Sequence, residues 1–163
     1  AWEELPEAEL RRMFEVDFFA PVALTAALFP LLKDSRGAIV NIASVAAKTP
    51  VPCMGAYCAA KAALAQFSET LHAEAKLHDL AVLTVYPGRI STGFSSRAVR
   101  MRECPETPGN RIDPAVFARR VLRKLRARRR ALIFPWWYRF FIAFTRLCPE
   151  FYDRCALKVW KLR

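Results

Sequence analysis

Three short apolar runs, residues 38–43, 81–86 and 131–134, punctuate this chain, and what separates them restricts the architecture. Each is rich in Val, Ile and Leu and does not alternate with polar residues, the pattern of a strand covered on both faces in a parallel sheet. An alanine-rich helix from about residue 55 to 77 separates the first two. An irregular stretch, 89–112, and a further helix separate the second from the third. That helix opens at Asp113-Pro114, an N-cap followed by proline at the first helical position, and is expected to reach residue 130. Phe117, Val121, Leu122 and Leu125 form its expected buried stripe. Residues 6–32 read as one long helix with an acidic start that suits the macrodipole and a bend at Pro21. Strands alternating with helices predict an α/β fold, a doubly wound parallel sheet.

Glycine and charge narrow the reading. The 163 residues hold only five glycines, Gly37, Gly55, Gly88, Gly93 and Gly109, too widely spaced for any phosphate-binding glycine loop. The net charge of +11 is uneven. Residues 1–99 carry nine Lys/Arg and ten Asp/Glu, whereas residues 100–163 carry seventeen and five. A basic end of this kind suits nucleic acid, an anionic membrane surface, an anionic ligand or a solvated helix face. Five cysteines without a C-x-x-C pair, beside two histidines, exclude zinc spacing, and no metal is expected. The thiols read as small apolar side chains in a reducing, cytoplasmic setting. The acidic start is unlike a signal peptide, and without eighteen consecutive uncharged apolar residues no spanning helix is expected.

The chemistry gathers around Tyr57 and Lys61. Four residues apart, they share one helix face. An isolated phenol titrates near pH 10, and a neighbouring cation favours the phenolate and can bring it into working range for proton transfer. Ser44 follows the first strand, thirteen residues before Tyr57, at the carboxyl edge where α/β sheets place their sites. Its hydroxyl can donate to a carbonyl oxygen that the tyrosine protonates. The second strand ends at the same edge in Pro87-Gly88-Arg89-Ile90-Ser91-Thr92. Asn41 reads as a structural hydrogen-bonder, and His72 and His78 as solvated.

The order N-I-A-S, then Y-x-x-x-K, then P-G-x-I-x-T resembles the short-chain dehydrogenase/reductase family over nearly all of residues 6–134, and is similar to its hydroxysteroid-dehydrogenase-like members. The resemblance implies a Rossmann-type sheet and an NAD(P)-dependent oxidoreductase. Such an enzyme would interconvert a secondary alcohol and a ketone on a lipophilic small molecule. It implies Tyr57 as general acid/base, Ser44 polarising the substrate oxygen, and Lys61 holding the nicotinamide ribose while lowering the Tyr57 pKa. Pro87, Gly88, Ile90 and Thr92 would line the nicotinamide end of NADP or NAD, with the choice between them open. A homodimer through the long helices is implied as well.

Two departures from the family pattern stand out. Where the family has an Asn that supports a proton-relay water, this chain has Asp17, after Val16. A carboxylate can hold a water, yet near Tyr57 its charge opposes phenolate formation. The family's glycine-rich turn and ribose selector have no counterpart in these residues. The expectation is therefore a C-terminal portion of a longer dehydrogenase, inactive alone, with residues 1–134 catalytic and 135–163 an aromatic, basic extension. In that extension Trp136, Trp137, Phe140, Phe141, Phe144, Leu147 and Cys148 fall at helical spacing, with Arg139 and Arg146 opposite. An amphipathic helix of this kind suits peripheral contact with anionic membrane, helped by the preceding arginines, or closure of the substrate pocket. Both readings stay open, and with them a catalytically weak, membrane-associated interaction module that keeps the fold. Nucleic-acid binding is not expected, because the aromatics do not interleave with the cations.

Overall fold

In the computed structural model, which describes residues 2–91 and 112–162, the three apolar runs form three strands. They are β1 (Ala38–Ile42), β2 (Ala81–Pro87) and β3 (Ala131–Phe134), all parallel in the order β1-β2-β3. The central strand carries the core: Val82, Leu83, Thr84, Val85 and Tyr86 are all buried. Val82 and Thr84 face the helix α3 (Gly55–Ala75). There Val82 packs with Leu71 and Ala75, and Thr84 donates to the Ser68 hydroxyl at 2.8 Å. Leu83 and Val85 face the other way, onto Phe117, Val121 and Leu125 of α4 (Pro114–Arg126). Each fully buried aliphatic side chain contributes about 2 kcal/mol. The alanines of α3 leave little bulk between helix and sheet: Ala56, Ala60, Ala65 and Ala75 are all buried, Ala65 beside Tyr86 and Ala75 beside Val82. Among the described residues no strand pairs with the outer edge of β1, and Ile42 at its end is exposed.

The long amino-terminal helix is continuous from Glu7 to Ser35 but not uniform. It consists of α1 (Glu7–Phe14), a π-helical turn (Glu15–Phe19) and α2 (Ala20–Ser35). The irregularity expected at Pro21 lies in the turn before it, where the Ala20 N–H reaches back five residues to the Glu15 carbonyl. A π turn of this kind inserts one residue and rotates the side chains that follow. Within α2, Thr25 Oγ1 donates to the Pro21 carbonyl at 2.7 Å. Arg36, in the left-handed region, closes the helix, and the Gly37 N–H bonds the Leu32 carbonyl at 2.9 Å. By length and composition Glu7–Ser35 is apolar enough to cross a membrane. The uncharged stretch between Asp17 and Lys33 is fifteen residues, so the expected absence of eighteen consecutive uncharged residues holds while the helix as a whole still reaches the length and mean hydropathy of a span.

Other boundaries and environments also shift. Helix α3 gives way to a 3-10 turn at Lys76–His78, and α4 stops at Arg126. Asp113 caps α4 as expected, accepting from the Ala115 N–H at 2.8 Å, but Leu122 is exposed instead of joining the stripe. His72 is half-buried, with Nδ1 2.8 Å from the Val82 carbonyl oxygen, because the last turn of α3 lies against the start of β2. Asn41 is buried, but its Nδ2 has no partner among the described residues. Cys148 and Cys155 are exposed, and Cys53 and Cys58 half-buried, so the apolar-thiol reading fails for the first pair. The tail forms two helices, α5 (Tyr138–Leu147) and α6 (Pro149–Val159), divided where Pro149 cannot continue the first.

A polar network ties β2 to its surroundings. The Glu69 carboxylate on α3 accepts from the Tyr86 hydroxyl and from Lys48 Nζ at 3.3 Å, with Arg130 at 3.8 Å. Lys48 Nζ also lies 4.3 Å from the Tyr86 ring centroid. The Tyr86 hydrogen bond, then the Lys48 and Arg130 charges, hold the Glu69 carboxyl below its ordinary range, against the cost of burial. Burial and Glu69 push the Tyr86 phenol well up. A carboxyl with a depressed folded pKa stabilises the fold above its unfolded value and loses that contribution as pH falls through the folded one. Stability to urea is therefore expected to decline below pH 4.5, the ordinary value of the group. Tyr86→Phe should flatten that decline. An unchanged acid slope in the variant would locate the effect elsewhere.

Candidate active site

Ser44, Tyr57 and Lys61 meet at the carboxyl edge of β1. Ser44 leaves the strand in extended conformation and caps the 3-10 turn Val45–Ala47, its Oγ accepting from the Ala46 N–H at 3.1 Å. That bond occupies a lone pair of the hydroxyl and leaves its proton to be donated elsewhere. The first two turns of α3 carry Tyr57 and Lys61. Lys61 Nζ lies 5.9 Å from the Tyr57 ring centroid, as the spacing of four requires. It donates to the Ile42 carbonyl at 3.2 Å and pairs with Asp17 Oδ1 at 3.1 Å. The pair is largely withdrawn from water, with the lysine side chain 13% and the aspartate 21% exposed. Asp17 sits on the π turn, so the irregular turn delivers the carboxylate to the lysine.

Electrostatics here differ from the expectation that Lys61 lowers the Tyr57 pKa. The phenol is held above its ordinary value, chiefly by burial, with the Asp17 charge and Cys58 adding to the rise. The Ser44 hydrogen bond is what favours the phenolate. The Lys61 ammonium, 5.9 Å from the ring centroid, is itself paired with Asp17. Burial also raises the Cys58 thiol, one residue along the helix.

A family model for short chain dehydrogenase matches residues 1–103. The chain belongs to that family. Among curated relatives, the dehydrogenase/reductase SDR family member 7B of Xenopus laevis is 36% identical over 129 residues, 76% of this chain and 40% of that protein. The human 11-beta-hydroxysteroid dehydrogenase type 2 is 41% identical over 87 residues, 53% of this chain and 22% of that protein. Of solved structures, a short chain dehydrogenase from Burkholderia cenocepacia in complex with NADP superposes with a TM-score of 0.77 at 25% identity. It covers 94% of this chain and 62% of that one. A short-chain dehydrogenase from Streptomyces avermitilis gives 0.75 at 29% identity, over 99% and 64% of the two chains. The chain thus spans less than half the length of these curated relatives, and its three strands correspond to part of a Rossmann-fold short-chain dehydrogenase sheet.

The other motif residues fall into place unevenly. Pro87 and Gly88 end β2 beside β3, the Gly88 N–H bonding the Phe134 carbonyl at 2.8 Å. Ile90 makes a single parallel bridge to Ile112. Thr92 lies outside the described residues. At Gly88 the structure adds a neighbour that the sequence did not suggest. A Cβ built there would lie 2.1 Å from Tyr138 Cε2, so the α5 tyrosine already occupies the open side of the glycine. Trp137 stacks on Tyr138 at 3.9 Å, while burial raises the Tyr138 phenol and the Arg89 backbone N–H moderates the rise. The tail aromatics therefore divide. Tyr138 and Ile142 pack into the core beside Tyr86, whereas Trp136, Trp137, Phe140, Phe144, Leu147 and Phe151 stay exposed. Neither Tyr138 nor the Glu69 network carries a local sequence signal, because their partners lie far away along the chain.

Gly88→Ala is expected to cost about 2 kcal/mol by overpacking, read as a lower urea midpoint. Tyr138→Ala should remove that penalty in the double variant. An additive double variant would show that the two residues do not compete for this space.

Proposed function

We propose that this chain is the catalytic part of an NAD(P)-dependent oxidoreductase that interconverts a secondary alcohol and a ketone on a lipophilic small molecule. The observation that carries the reading is the convergence of Ser44, Tyr57 and Lys61 at one sheet edge, where the Ser44 hydroxyl accepts from Ala46 and hydrogen-bonds the Tyr57 phenol. The substrate class draws support from relatives named as hydroxysteroid and estradiol dehydrogenases.

A nicotinamide dinucleotide, when bound, supplies or accepts the hydride. The donor set fits its ribose end: of three ammonium N–H groups on Lys61, one goes to Ile42 and one to Asp17, leaving one to offer. Tyr57 would share that ribose, and Pro87, Gly88, Ile90 and Thr92 would flank the nicotinamide. The remaining chemistry is the chain's own. Ser44 and Tyr57 donate to the substrate oxygen and orient it. As negative charge grows on that oxygen, the Tyr57 proton passes to it, after which the Ser44 hydroxyl turns its one proton to the phenolate left behind. A phenol held above its ordinary value keeps its proton at neutral pH, which suits the reducing direction. The exposed apolar face of Glu7–Ser35, including Val16, Leu24, Leu28 and Leu31, supports a homodimer built on this helix.

Tyr57→Phe in protein that turns over a ketone should abolish turnover and leave dinucleotide affinity nearly intact. Activity surviving within about tenfold, well short of the roughly hundredfold or more that general acid–base catalysis supplies, would remove Tyr57 from the acid/base role.

A membrane-associated module is the second reading, favoured by the exposed aromatic surface of α5 and α6 together with the exposed Arg139 and Arg146 on α5. The arginine-rich α4 contributes less than its charge suggests, since it packs on the sheet face opposite α3. Replacing Trp136, Phe140 and Phe144 by Ser should abolish co-sedimentation with anionic vesicles while preserving the fold. Those side chains are exposed, unlike Tyr138 and Ile142, whose removal would open the core. Equal sedimentation of variant and parent would dismiss this reading.

A further inference from the structure

The ion pair between Asp17 and Lys61 does more than fill a gap. Two oxygens seat the ammonium, the Ile42 carbonyl at 3.2 Å and the Asp17 carboxylate at 3.1 Å, and both ionic side chains are largely buried. The carboxylate arrives by the π turn Glu15–Phe19, and the lysine from one helical turn beyond Tyr57. A buried pair is a poor source of stability, because desolvation offsets most of the attraction. Its effect falls instead on neighbouring groups whose charge changes.

We propose that Asp17 is a positioning residue that acts through Lys61, fixing the ammonium in its two-oxygen seat and offsetting its charge at Tyr57. The inference rests on the reading of Tyr57 as the acid/base. It also distinguishes two roles for the carboxylate: one that passes a proton along, and one that holds a cation back.

Among the described residues, these titratable and polar groups face Tyr57. On α3 they are Lys61 and Cys58. The π turn brings Asp17, and the turn after β1 brings the uncharged Ser44. Lys48 from that same turn is committed to Glu69, and Tyr152 of α6 donates its hydroxyl to the Pro50 carbonyl at 2.5 Å. β1 offers only the Ile42 carbonyl, which has no charge. Asp17 is therefore the one negative charge, among the described residues, on the same lysine that serves the phenol. Removing it acts twice, by lifting a direct repulsion and by releasing the ammonium to turn toward the phenol oxygen.

Tyrosine labelled with 13C at Cζ reports this by NMR titration without any turnover, and Tyr57→Phe identifies the resonance. Asp17→Asn should lower the Tyr57 midpoint by about one pH unit, the size of effect that a close charge exerts. Asp17→Glu, which keeps the charge, should leave the midpoint near that of the parent and covers the case of an Asn variant that folds poorly. In a Lys61→Met background the same Asp17→Asn change should shift the midpoint by less than about half as much. In active protein the pH limb of kcat should move with the NMR midpoint. An unmoved midpoint in Asp17→Asn overturns the proposal, as does an equal shift with and without Lys61. Because the titration needs no catalysis, loss of the oxidoreductase reading would appear separately, as turnover by Tyr57→Phe.

Discussion

Burial of β2 on both faces is the constraint from which the rest follows. A strand with Val82, Leu83, Thr84, Val85 and Tyr86 all inside must have a helix above it, a helix below and a strand on either side. Parallel pairing then brings the ends of β1, β2 and β3 to one edge, which is why Ser44 and Pro87 emerge near each other although forty-three positions separate them. The alanines of α3 complete the arrangement by letting the helix lie close to the sheet, so that its first turns overhang that edge.

Inside this frame two kinds of charge are handled differently. Glu69 is surrounded by donors, with Tyr86, Lys48 and Arg130 all directed at it. Its role is to bind the turn after Ser44 to the central strand and to the start of β3. The pair at Asp17 and Lys61 lies beside a group that must gain and lose a proton, and its charges bear on chemistry more than on cohesion. Polar groups with similar burial thus serve packing at one end of α3 and reactivity at the other.

Much of this was legible in the sequence. The strands announced themselves through composition, the start of α4 through Asp113 and Pro114, and the trio Ser44, Tyr57 and Lys61 through order and spacing along two elements. Side-chain periodicity reports local environment, so local features came through. What failed to come through depends on distant partners. The seat of Tyr138 against Gly88 is set by a helix fifty residues downstream, and the burial of His72 by a strand that the helix meets only after folding. Leu122 looked like a core residue because its spacing is right, but α4 rests on the sheet along a narrower line. The π turn is invisible to a periodicity of 3.6, and with it the direction in which Asp17 points.

The bare outer edge of β1 carries a consequence of its own. Among the described residues nothing pairs with that edge, and next to an exposed Ile42 it forms a template onto which an extended chain could add. An edge of this kind favours edge-to-edge pairing between copies, so how well the protein stays dispersed in solution depends on what shields it.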